Sequence, residues 1–241
     1  MATLNQVTST TVWIRTILYL MRRVGKEGGT RQLVEGLRPS IEALDRVSAA
    51  VELAQRALVG ARADVDAADN DLDEELAILD FNLLQSVGRN RKAAAYRKVF
   101  PEGLTGATRT NPEDQVRLCR RIEEVLARDF AGDTTVQPSL AAIRAAREEM
   151  DGRLAVHRQA VDDLNAARAA ERQARIDAGD AYRIAYAELV KIFPQNLRKV
   201  RSFFHQPRPV AGAADGPPQP GPLEPDPPEP APVVADPATP S

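Results

Sequence analysis

Residues 44–79 read LDRVSAAVELAQRALVGARADVDAADNDLDEELAIL, and the spacing of their apolar side chains decides the fold class. Leu44, Val51, Leu58, Val65, Leu72 and Leu79 fall seven apart, and Val47, Ala54, Ala61 and Ala68 stand three residues after the first four of them. This is a heptad pattern with large residues at one seam position and mostly alanine at the other. Small seam residues let a second helix approach closely, as in antiparallel pairs. No proline interrupts 40–87. Unbroken, that helix measures about 70 Å at ~1.5 Å per residue. Gly60 and Asn70 are the candidate breaks, and a hairpin at either halves the rod.

Toward the C-terminus, Gly88 ends the run, a basic helix is predicted over 89–100, and 101–110 reads as a loop. Asn111-Pro112-Glu113-Asp114 is a strong helix start: a capping side chain, a proline at the first helical position, then acids in the first turn. The helix it opens reaches about Phe130, with Leu118, Cys119, Ile122, Val125 and Leu126 on its apolar face. A second long helix is predicted from near Pro138. Its seam reads Leu140, Ile143, Met150, Leu154, Val161 and Leu164, then Tyr182, Leu189 and Ile192. Charge reaches the seam between 168 and 175, so packing there should loosen or meet a complementary charge. Pro194 ends or kinks this helix, and 197–204 form a last short one.

Toward the N-terminus, residues 7–24 repeat at helical spacing, with Trp13, Ile17, Leu20, Met21 and Val24 on one face, until Gly25, Gly28 and Gly29 end the helix. A membrane-surface helix is one use of such a face. Core packing is the preferred use, because alanine seams leave the body short of apolar cover. The run 12–21 carries Arg15, is too short to span a bilayer, and lacks the basic start and small-residue cleavage site of a secretory signal.

The order of parts repeats: amphipathic helix, glycine-containing loop, long heptad helix, short basic helix. Leu37-Arg38-Pro39-Ser40-Ile41 resembles Val136-Gln137-Pro138-Ser139-Leu140, and Lys98-Val99-Phe100-Pro101 resembles Lys191-Ile192-Phe193-Pro194. The expected fold is therefore all-α: an elongated antiparallel helical bundle or coiled coil over 1–205. It is built from two similar halves, about 5–104 and 111–204, that arose by internal duplication.

Residues 206–241 are a separate object. Of the 18 prolines, 13 lie between Pro207 and Pro240, together with five acids and no base after Arg208. Such a stretch lacks the apolar surface needed to offset the entropy of ordering, so a disordered or polyproline tail is expected. It serves as a solubilising tether or, through its Pro-x-x-Pro spacings, as a ligand for an aromatic groove. Setting the tail aside leaves a body close to neutrality, which is not the footprint of a dedicated nucleic-acid binder. A single cysteine, Cys119, excludes an internal disulfide framework and a multi-cysteine zinc site, and fits a reducing, cytoplasmic compartment.

The chemistry-bearing residues are few. Asp69, Asp71 and Asp73 copy the first ligands of a calcium loop, but Glu74 stands where that loop needs glycine, and Leu72, Leu76 and Leu79 continue the helix through the stretch. A solvated acidic face is the better reading. His157 lies on a seam with no acid three residues before it, so it reads as a register-setting polar residue, and His205 has no evident partner. No catalytic residue, cofactor-binding residue or metal ligand is assigned. Arg89, Arg91, Lys92, Arg97 and Lys98 in the first half, and Arg198, Lys199 and Arg201 in the second, form the candidate interaction residues. They could meet phosphates of nucleic acid or lipid, or pair with acids of the same chain. Phe100, Phe203 and Phe204 beside them read as core or cap residues rather than base-stacking platforms. The expected function is that of a non-enzymatic scaffold, adaptor or assembly subunit, with protein partners or self-association through the long helices. The alternative is a module that binds an anionic surface, nucleic acid or membrane, through those basic clusters.

Overall fold

The computed structural model describes residues 9–204; the expected tail, His205 and the first eight residues lie outside them. Among the described residues there are seven helices and no strand: α1 Thr10–Val24, α2 Arg31–Ser86, α3 Ala94–Val99, α4 Gly103–Thr108, α5 Pro112–Asp129, α6 Gln137–Ile192 and α7 Leu197–Phe203. The two long helices are 56 residues each, about 84 Å at ~1.5 Å per residue. Neither Gly60 nor Asn70 breaks α2.

The long helices pack against each other in opposite directions. Asn82, near the end of α2, donates to the Ser139 hydroxyl at the start of α6 (3.0 Å), and Asp64 meets Arg153 further along (3.3 Å). Much of their apolar seams is buried inside the chain. Leu44, Val65, Leu72 and Leu79 of α2 and Ile143, Met150, Leu154, Leu164, Tyr182 and Leu189 of α6 are buried, as their spacing predicts, while Val51, Leu58, Leu140 and Val161 are half-buried and Ile192 is exposed.

The buried side chains fall into two separate cores. One joins α1, the first part of α2, the last part of α6 and α7, around Trp13, Ile17, Leu20, Leu44, Tyr182 and Phe204. The other joins the last part of α2 to α3, α4, α5 and the first part of α6, around Leu76, Leu83, Phe100, Ile122, Leu126 and Met150. We call these the α1 head and the α5 head. Between them α2 and α6 run as a bare pair, lined by small or half-buried residues such as Ala54, Leu58, Ala61, Ala160 and Val161, with Leu53, Val59 and Val156 exposed. Among the described residues, two small multi-helix heads thus sit at the two ends of a two-helix stalk.

Local chemistry explains the head geometry. Thr30, fully buried, donates its hydroxyl to the carbonyls of Val24 (2.6 Å) and Glu27 (2.8 Å), which folds α2 back onto α1. Trp13 lies over Gly179 of α6. A Cβ there would stand 3.3 Å from the indole, so the missing side chain lets α1 settle close. The charged part of the α6 seam meets α1 as well: the Thr10 hydroxyl in the first turn of α1 donates to Glu171, whose acid suits the positive end of that helix. What faces the charged seam there is a neutral hydroxyl, and the ion pair of Glu171 is with Arg175 one turn along α6. In the α5 head, Asn111 caps α5 by accepting from the Asp114 N–H at 3.0 Å.

Three boundaries differ from expectation. Helix α2 starts at Arg31 and carries Pro39 inside it, rather than starting after Ser40. Proline has no N–H to give the Glu35 carbonyl, but both residues are on the exposed side, where water can serve that acceptor. The basic helix predicted over 89–100 shrinks to Ala94–Val99, because Gly88 (φ 66°) and Arg89 (φ 59°) are both left-handed and turn the chain sharply. The loop predicted over 101–110 contains the short helix α4. The two proline matches also sit differently: Pro39 is interior to α2, whereas Pro138 is in the first turn of α6.

Candidate functional site

The eight candidate interaction residues divide between the two heads. Three are engaged within the chain. Arg91 lies 3.3 Å from Asp80 and Lys98 lies 2.9 Å from Asp129, while Lys199 bonds Glu27 at 2.7 Å and stands 4.5 Å over the Phe193 ring. The other five, Arg89, Lys92, Arg97, Arg198 and Arg201, are exposed and make no ion pair among the described residues. Arg89 to Lys98 belong to the α5 head and Arg198 to Arg201 to the α1 head, so the two clusters are at opposite ends of the stalk and form no single basic surface. Phe100, Phe203 and Phe204 are buried, the core role expected of them.

The acidic stretch of α2 is only partly solvated, which corrects the uniform acidic face read from the sequence. Asp66, Asp71 and Glu74 are exposed. Asp80 is buried, accepting from the Tyr96 hydroxyl at 2.5 Å beside Arg91. Burial, together with that bond to Asp80, pushes the Tyr96 phenol up to about 12. Asp73 accepts from Gln115 of α5 at 2.5 Å, and burial holds its carboxyl above the usual range. Burial raises Asp69 too, helped by the neighbouring charges of Asp73 and Asp66. These partners sit on α3 and α5, so the heptad count of α2 alone contains no signal for them.

A second polar group crosses the α5 head between α5 and α6. Glu123, nearly buried, pairs with both Arg144 (3.4 Å) and Arg147. Cys119 lies one turn earlier on α5 and is fully buried. Burial first, then the Glu123 charge, pushes its thiol up to about 12, as suits a protonated core residue. His157 is half-buried on α6. Among the described residues, no group of three or more histidine, cysteine or acidic side chains converges as a metal site, and no helix is long and apolar enough to cross a membrane.

A groove of about 710 Å³ lies in the α5 head, where α3, α4 and α5 meet, lined by Phe100, Pro101, Glu102, Leu118, Arg117 and Arg121 among others. Two of its lining residues, Arg117 and Asp114, are paired with each other along α5. The chain matches no protein-family model, no curated protein and no solved structure.

Proposed function

We propose that this chain is a non-enzymatic structural or interaction protein, a scaffold or assembly subunit that holds two surfaces a fixed distance apart. The observation that carries the reading is the pair of separate cores at opposite ends of two 56-residue helices. A single larger core would bury more apolar surface than two small ones joined by a bare stalk. The separation is costly in stability, and a spacer is what it provides. The lone buried thiol fits a reducing, cytoplasmic setting.

The same reading includes a coiled-coil stalk and an origin by duplication. Support for duplication comes from the equal lengths of α2 and α6, the amphipathic helix before each, and the Phe–Pro step (Phe100-Pro101, Phe193-Pro194) that precedes a short helix in both halves. The unlike positions of Pro39 and Pro138 weigh against it. The test is affinity purification with mass spectrometry, comparing the full chain with one stopped after Gln206. A scaffold recovers a specific partner in at least one form. Recovery of nothing beyond the mock purification, from cells and from lysate, sinks the reading.

The second reading, an anionic-surface module, is favoured by the five unpaired bases named above. It requires binding to duplex nucleic acid or anionic vesicles that falls steeply with salt and is lost on neutralising Arg89, Lys92 and Arg97, or Arg198 and Arg201.

A further inference from the structure

Two helix faces, one on each head, are exposed, apolar and oppositely charged. On α1 the outer face carries Val12, Arg15, Tyr19 and Arg22, with Leu18 beside them. Val12 is 39%, Leu18 48% and Tyr19 36% exposed. Helix α1 holds three arginines and no acid, and none of the three makes an ion pair among the described residues. On α2 the outer face of the α5 head carries Asp71, Glu74, Ile78 and Phe81. Ile78 is 43% and Phe81 60% exposed, and neither acid has an ion-pair partner among the described residues.

The two rows share one spacing. Positions 12, 15, 19 and 22 step by three, four and three, and so do 71, 74, 78 and 81. That step follows one line along a helix, so each row is a straight stripe. Run antiparallel, the stripes place Arg22 opposite Asp71, Tyr19 and Arg15 across Glu74 and Ile78, and Val12 opposite Phe81. Arg22 then meets Asp71, Arg15 lies one turn from Glu74, and both stripes bring exposed apolar side chains to bury between them.

They cannot meet within one chain. Helix α1 packs with α2 around Leu37 and Leu44, and residue 71 lies a further ~40 Å along that helix at ~1.5 Å per residue. We propose that the α1 stripe docks on the α2 stripe of a second copy of this chain. The contact is heterologous, one surface meeting a different one; because α2 folds back on α1 within the chain, antiparallel stripes set two rods in the same direction and offset along their length, so the contact stays open and repeats from copy to copy. This rests on the interaction-protein reading and names one partner for it.

The test is sedimentation velocity of the full chain over a concentration series at ~50 mM and ~500 mM salt. Self-association that strengthens with concentration and weakens at high salt is expected. Reversing one stripe (Arg15→Glu with Arg22→Glu) or the other (Asp71→Lys with Glu74→Lys) should weaken it about tenfold or more. All four reversals in one chain should restore it. All four side chains face solvent, so the fold should be kept with at most a small drop in Tm from Arg22→Glu in the last turn of α1, and the restored variant cannot be explained by misfolding.

A wild-type chain that stays monomeric at low salt overturns the proposal, as does association indifferent to the reversals or not restored by the fourfold swap. A monomer whose α1 stripe instead takes up anionic phosphatidylserine vesicles, with loss on Arg15→Glu/Arg22→Glu, overturns it in favour of a lipid partner. A monomeric result leaves the affinity purification to judge the scaffold reading separately.

Discussion

Tyr96→Phe removes one oxygen from the α5 head and tests what holds the buried carboxylate there. Asp80 is 6% exposed, and the Tyr96 hydroxyl donates to it at 2.5 Å. A hydrogen bond to a charged group contributes about 1.5–3 kcal/mol, so Tyr96→Phe should cost about 2 kcal/mol. Arg91 is the other partner, at 3.3 Å, but its side chain is 68% exposed. A pair so open to water is worth about 0.5 kcal/mol, so Arg91→Ala should cost far less. In the Tyr96→Phe background, Asp80→Leu should return much of the loss, since removing both partners leaves no stranded charge.

Urea unfolding supplies the assay with two probes. The sole tryptophan, Trp13, belongs to the α1 head, so its fluorescence follows that head, while far-UV circular dichroism follows all helices. Because no third layer bridges the stalk, the dichroism transition should shift with Tyr96→Phe and the fluorescence transition should stay. If Arg91→Ala costs as much as Tyr96→Phe, the guanidinium and not the phenol holds Asp80, and the ranking by burial is wrong. If both probes shift equally, the two heads unfold as one unit.

Other consequences can be checked with simpler measurements. Asn111→Ala should lose the cap on α5 and cost about 1 kcal/mol, read as a lower urea midpoint; an unchanged midpoint contradicts the capping role. Hydrogen bonds from Arg128 and Lys98 hold Asp129 down at about 2, and Ser86 and Asn111 lower Asp133 and Asp114. These folded-state values lie below the unfolded ones, so the stabilisation they provide is complete above about pH 4 and is lost as pH falls toward 2. Asp69 and Asp73 are raised and act in the opposite sense. Lys98→Met should flatten the acid loss of Tm, and an identical profile in the variant counts against the assignment. Cys119 should resist iodoacetamide at pH 8 in the folded chain and react once urea exposes it; rapid labelling of the native protein excludes the buried thiol.

The long helices were readable because heptad spacing is a local and repeated signal. Leu44 to Leu79 told their own orientation, and Asn111-Pro112 announced α5 through cap chemistry. Features that depend on a distant partner were not readable. Asp80 and Asp73 looked like the rest of an acidic face, since Tyr96 and Gln115 are brought to them only by the fold. Pro39 looked like a helix boundary, because a proline signals an end unless the carbonyl it strands faces water. Helix α4 has too few apolar residues to show a period. The basic clusters were legible as charge, but the pairing of Arg91, Lys98 and Lys199 within the chain depends on Asp80, Asp129 and Glu27, which tertiary packing supplies.

The order in which the chain builds its two cores carries a consequence for synthesis. The α5 head draws its core from one continuous stretch, 65 to 154, whereas the α1 head joins 13–44 to 174–204. On a ribosome the α5 head can therefore complete while Trp13, Ile17 and Leu20 still wait for the last helices to emerge. The apolar surface of α1 is translated before the α5 head and covered after it. A nascent chain stalled between 154 and 174 should bind a holdase through its α1 segment, and release it once α7 has been made.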